Sequence, residues 1–112
     1  MGAFIVYAPA FDDSGLLVRP VGQSGSWGVS GAQWEQLQRY AETQGIGRDA
    51  WPDCTRVRLT TRQIADKNRW LHTRLSLLSD AQINSFTLDS GEPILARIRD
   101  ALNQGNLIVI TH

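Results

Sequence analysis

Residues 3–8 read AFIVYA, an apolar run with β-branched and aromatic members that stops at Pro9. A run of this length and composition favours a strand buried on both faces over a helix. Residues 107–110 read LIVI and have the same character. No other stretch is equally apolar. We therefore expect the strands near 3–8 and 106–111 to be adjacent central strands of one mixed or antiparallel sheet.

Three helices are predicted between these two strands. Ser30, Thr60 and Ser79 each stand three residues before a glutamine, which is the spacing of a capping box. Asp89 or Ser90 is the expected N-cap of the last helix, and apolar residues recur on one face of each helix. These signals place helices at about 31–44, 61–78 and 91–104, with a short helical turn at 80–85.

The remaining segments give weaker signals. Residues 16–19 are predicted to form a strand that makes a hairpin with the first strand. Residues 20–31 are rich in glycine and serine and are predicted to form a mobile loop. Residues 55–61 alternate between apolar and polar side chains, which predicts a half-solvated strand with Val57 and Leu59 facing inward.

Length and composition indicate one soluble α+β domain spanning residues 1–112. The chain has 112 residues, of which 42% are hydrophobic and 20% charged. It is too apolar for intrinsic disorder and has no run of about 18 apolar residues for a membrane span. Cys54 is the single cysteine, and the first residues do not resemble a secretory signal, so a cytoplasmic location is expected.

The charge is balanced overall but unevenly distributed. Eleven basic and eleven acidic residues give a formal net charge of zero, yet residues 56–74 contain six basic residues and one acid. Such a segment predicts a basic patch that could contact an acidic protein or a nucleic acid, or could be a solvated face paired with acids elsewhere in the chain. The patch residues of interest are Arg56, Arg58, Arg62, Arg69 and Trp70.

The chain also has four tryptophans, which is many for its length. Trp34 is assigned to the apolar face of the first predicted helix. Trp27 and Trp51 fall in predicted loops, where no periodicity ensures burial. An exposed tryptophan beside arginines is typical of an interface anchor, and the alternative is a ring that folds back as a lid on the core.

Motifs for catalysis and metal binding are weak. Residues 22–26 approach the nucleophile-elbow pattern but lack its second glycine. Cys54 could be a reactive thiol near arginines, although a buried structural role is the simpler interpretation. Two histidines and one cysteine do not fit a structural zinc site, so neither a metal nor a cofactor is expected.

The leading hypothesis is a non-catalytic protein-binding domain that acts as an inhibitor, an immunity or antitoxin-type protein, or an adaptor in a prokaryotic or phage setting. Its expected contacts are Trp27, Trp51 and the patch residues, and its expected partner is another protein, for which the basic patch favours an acidic surface. One alternative is a ribonuclease-type toxin in which His72 acts as base beside Arg69 or Arg74. Another is a nucleic-acid-binding regulator that uses residues 56–74.

Overall fold

Strand β1, Gly2–Ala8, is the middle strand of a three-stranded antiparallel sheet in a computed structural model that describes residues 2–11, 18–19 and 24–112. The other strands are β2 Ala10–Phe11, β3 Val18–Arg19, β4 Gly25–Ser30 and β5 Leu107–Thr111. The helices are α1 Gly31–Thr43, α2 Thr61–Ser76, α3 Asp80–Asn84 and α4 Ile94–Asn103, with a 3-10 turn at Arg48–Ala50.

The predicted α+β class and the predicted neighbouring strands are confirmed. The sheet order is β4-β1-β5, and β5 pairs with β1 in the antiparallel sense, with Ile5 opposite Ile110. The inner face of the sheet packs against the helices in the main core, to which Ile5, Ile108 and Leu71 belong. A smaller cluster on the other face joins Val109 to Leu59 and Ile64. Among the described residues, this cluster covers the second face of the sheet at β5 and at the Ala8 end of β1.

The outer edge of β5 is closed by other parts of the chain. The backbone N–H of Cys54 donates to the carbonyl of Ile110 (2.8 Å), and the N–H of Ile110 donates to Pro52 (2.9 Å). The buried amide of Asn68 accepts from the N–H of Ile108 (2.7 Å) and donates to its carbonyl (2.9 Å). These bonds satisfy strand groups that would otherwise be unpaired in the core.

The helix signals are largely confirmed. Ser30, Thr60 and Ser79 are N-caps that accept from the glutamine backbone three residues later, and complete capping boxes form at Thr60 and Ser79. The predicted cap of α4 at Asp89 or Ser90 is wrong, because α4 begins after Pro93. The chain first makes a turn in which the N–H of Leu88 donates to the carbonyl of Glu92 (2.8 Å), and proline disfavours a helical residue before it.

The predicted mobile loop at 20–31 is wrong over residues 25–30, and residues 20–23 lie outside the described residues. Residues 25–30 form β4, which pairs with β1 along six residues from Gly25 to Ser30. Val29 is buried and Trp27 half-buried on the inner face. Pairing and burial of these two side chains outweigh the low strand propensity of glycine and serine.

The strand predicted at 55–61 is wrong, and the strand predicted at 16–19 differs from expectation in its pairing partner. Residues 55–61 form no strand: Asp53 Oδ1 accepts from both the N–H and the hydroxyl of Thr55, and this turn leads the chain away from β5 after a single bridge. Leu59 is buried as predicted, but Val57 is 61% exposed. The predicted strand at 16–19 is described only at Val18–Arg19, which pairs with Ala10–Phe11 instead of with β1.

Among the residues that the structure describes, no helix has both the length and the apolar composition needed to cross a bilayer.

Candidate functional site

Trp51 lies in the core and is not exposed to a partner. It is 1% exposed, and its ring meets that of Trp34 edge-on with centroids 5.3 Å apart. Of the two interpretations drawn from the sequence, the structure thus agrees with the lid on the core at this position. Its indole N–H is buried without a hydrogen-bond partner among the described residues.

Trp27 is only partly available. Its ring packs on that of Tyr7 with centroids 4.9 Å apart, and both rings contact the main core. The two rings line a small depression of about 240 Å³ beside Arg97 of α4 and Gln104, which follows that helix. Trp27 is therefore a wall residue between the sheet and α4.

Trp70 is the most exposed of the four tryptophans. It is 45% exposed on α2, and the guanidinium of Arg74 lies 5.3 Å from its ring centroid. Arg74 is itself fixed, because its Nε and Nη2 donate to the carbonyl of Gly45 at 3.1 and 3.0 Å. A cation held over the ring restricts its motion, so this exposed aromatic surface is preorganised.

The basic segment divides into paired and unpaired cations. Arg69 forms an ion pair with Asp66 (3.2 Å), and Lys67 Nζ donates to the carbonyl of Asp49. Within the described part of the chain, three exposed arginines have neither an acidic partner nor a side-chain hydrogen bond; they are Arg56, Arg58 and Arg62. The solvated-face interpretation therefore holds for Arg69 but leaves three charges without a counterion from the described residues.

Two depressions adjoin the 3-10 turn at Arg48–Ala50 and share Asp49. The larger, of about 550 Å³, is lined by residues including Trp34, Glu35, Arg48, Asp49, Arg56 and His112. The smaller, of about 340 Å³, is lined by Asp49, Ala50, Asp66, Lys67 and Trp70. We call these the paired depressions. The unpaired Arg56 lines the larger depression, and the exposed Trp70 lines the smaller one.

An ion-pair network supports the wall of the larger depression. Arg48 donates to Glu35 at 2.6 and 2.9 Å and to Glu42 at 2.8 Å, and Arg39 also contacts Glu35. The hydrogen bond from Arg48 is the main cause that lowers the pKa of Glu35 to about 2. The same bonds raise the pKa of Arg48. This network ties α1 to the 3-10 turn.

Acid should weaken this tie. Because the pKa of Glu35 is lowered in the folded state, its contribution to stability is complete above its ordinary pKa of 4.5 and is lost as the pH falls toward about 2. We expect the melting temperature of Glu35→Gln to approach that of the unaltered chain as the pH is lowered from about 5 to 2.5. Equal differences at both pH values would contradict this expectation. The side chains of Glu35 and Arg48 are both largely exposed, so the difference in melting temperature between Glu35→Gln and the unaltered chain should be small at neutral pH.

The structure brings His72 together with one of the two arginines of the ribonuclease hypothesis. His72 Nε2 lies 2.7 Å from Asn103 Oδ1 and lines a shallow depression of about 220 Å³ together with Arg69. Arg74 instead contacts Trp70 and Gly45. Arg69 is engaged with Asp66. Arg69 is therefore the arginine that shares a depression with His72, and Arg74 is not among the residues that line it.

Other chemistry suggested by the sequence finds little structural support. Cys54 is partly buried beside the smaller core cluster. Among the described residues, no group of three or more His, Cys, Asp or Glu side chains could hold a metal ion. Gly22 and Gln23 of the incomplete nucleophile-elbow pattern lie outside the described residues.

Sequence reasoning missed the larger depression. The sequence assigns Trp34 to the apolar face of the first helix, whereas in the structure Trp34 packs against the core and also lines the depression. An arginine, an aspartate and a tryptophan within four consecutive residues, 48–51, were the only available signal.

Comparisons with known proteins identify no relative. No family model matches the chain. A search of curated proteins gave no match, and neither did a search of solved structures.

Proposed function

We propose that this chain is a non-catalytic protein-binding domain and that Trp70 with the paired depressions forms its binding surface. In this role it acts as an inhibitor, an immunity or antitoxin-type protein, or an adaptor. Its partner would carry an acidic surface.

The exposed, preorganised ring of Trp70 is the observation that carries the proposal. Interface anchors are typically aromatic rings that a partner desolvates, and tryptophan is prominent among them. The ring adjoins the smaller depression, into which a partner side chain can insert. Because Arg74 already holds the ring, little side-chain entropy is lost on binding.

The unpaired arginines support the acidic character of the partner. Arg56, Arg58 and Arg62 are exposed without a counterion from the described residues. Acidic groups on a partner could pair with them and would accelerate association at low ionic strength. Val57 lies between two of them and is 61% exposed, so this segment offers an apolar contact as well.

The proposal can be tested by comparing proteins that co-purify with the tagged chain and with two variants. Trp70→Ala should lose a specific partner, because the variant removes the ring that the partner would cover. Leu77→Ala is the matched control: Leu77 is 71% exposed and follows the same helix, but lies outside the paired depressions. A partner retained equally by all three proteins would contradict the proposal.

The nucleic-acid alternative is tested on the same basic residues. If residues 56–74 bind phosphates, the unaltered chain should be retained on heparin at about 50 mM salt and released well before about 200 mM. Retention should be lost in the variant with Arg58, Arg62 and Arg69 replaced by Gln. Retention of this kind, together with unchanged protein partners, would favour a nucleic-acid-binding regulator.

A further inference from the structure

The two edges of the sheet are treated differently by the fold. The edge at β5 is closed by backbone bonds from residues 52–54 and by the side chain of Asn68. At the other edge, no described residue pairs with the outer side of β4. An open strand edge is a template for pairing with another chain.

β4 also lacks the features that protect open edges. Residues 25–30 read GSWGVS, without a charged residue or a proline. The strand pairs residue by residue with β1 from Gly25 to Ser30, so no bulge turns it away from an approaching strand. Natural edge strands that must remain unpaired usually carry a lysine, a proline or a bulge.

We propose that β4 pairs with the β4 strand of a second copy of this chain, in the antiparallel sense, to form a continuous six-stranded sheet. A two-fold axis perpendicular to the sheet keeps the inner faces of both copies on the same side. Opposed residues then share a face, and an axis at Gly28 places Trp27 opposite Val29 of the partner copy and Ser26 opposite its Ser30. Every opposed pair is uncharged.

The outer face explains why a second copy fits better than an unrelated strand. Phe4 is 48% exposed, and its ring lies beside Gly28, where an added Cβ would be 3.5 Å from Phe4 Cε1. In the paired strands the two glycines meet at the axis, with one phenylalanine ring approaching from each side. The Phe4 rings of the two copies, each half-exposed in the single chain, thus both pack over the pair of Gly28 residues at the axis.

Sedimentation equilibrium of the full chain tests the pairing. The unaltered chain should show a concentration-dependent dimer. Gly28→Lys should raise the dimer dissociation constant at least about tenfold. In the dimer of this variant the two new lysines lie directly opposite each other at the axis, and their like charges repel. The position tolerates the side chain in one copy, since the nearest atom to an added Cβ is at an ordinary contact distance.

Ser26→Lys is the matched control, with the same charge on the same face of the same strand but opposite Ser30 of the partner copy. It should weaken the dimer less than Gly28→Lys, and both variants should melt cooperatively. A chain that is monomeric at all concentrations, or a dimer that both lysines weaken equally or not at all, would overturn the proposal. Because Trp70 is not part of β4, failure here leaves the proposed protein-binding surface to its own test.

Discussion

A chain that ends at Asn106 is expected to be unfolded. The deletion removes β5, in which Ile108, Val109 and Ile110 are fully buried. At about 1.5–3 kcal/mol for each buried side chain, their loss is comparable with the total stability of about 5–15 kcal/mol of a small domain. It also leaves the buried amide of Asn68 without its two hydrogen bonds to Ile108.

Circular dichroism and thermal melting measure this effect. Removal of His112 alone is the control, because that residue is exposed and lies beyond β5. We expect this control to melt like the full-length chain. A cooperative transition at a similar temperature in the longer deletion would show that β5 is not an integral strand of the sheet.

Trp51→Ala should cause the largest loss of stability among single substitutions of the tryptophans. The ring is 1% exposed and contacts Trp34, so its removal leaves a large cavity between α1 and the 3-10 turn. The expected cost is about 3–5 kcal/mol in denaturant unfolding. Trp51→Phe should cost less, since it keeps most of the apolar volume and removes a buried N–H that has no partner among the described residues.

Trp70→Ala is the comparison for this measurement. The same chemical change on a ring that is 45% exposed should leave the midpoint of unfolding nearly unchanged. If both variants lost similar stability, the assignment of one ring to the core and the other to a surface would be wrong.

Strands and helices were predictable where neighbouring residues show a continuous apolar run or a capping-box spacing. Residues 3–8 and 107–110 are apolar throughout, and the pairing of their strands followed from the absence of any third candidate. The helix starts at Ser30 and Thr60 followed from a hydroxyl placed three residues before a glutamine. At these elements the local sequence preference and the tertiary contacts favour the same structure.

The errors arose where distant contacts decide the structure. The sequence of β4 resembles a loop because its glycines and serines have low strand propensity, but β1 provides a pairing partner for every residue of β4. Residues 55–61 alternate like a strand, but the turn at Asp53 directs them away from β5. The local sequence pattern does not show which strand is available for pairing, nor the direction that the chain takes after a turn.

The candidate site was only partly predictable for the same reason. The basic segment and Trp70 could be selected from composition, but no local pattern distinguishes the exposed Trp70 from the buried Trp51. The paired depressions depend on contacts between residues far apart in the chain, such as Lys67 with Asp49. Such contacts become visible only in three dimensions.

The binding affinity of the co-purified partner for the unaltered chain and for Trp70→Ala tests the central claim most directly. Titration calorimetry should show a loss of about 2 kcal/mol or more for the variant, close to thirtyfold in dissociation constant, with an unchanged melting temperature. Leu77→Ala should bind like the unaltered chain. Equal affinities for the unaltered chain and Trp70→Ala would contradict the account.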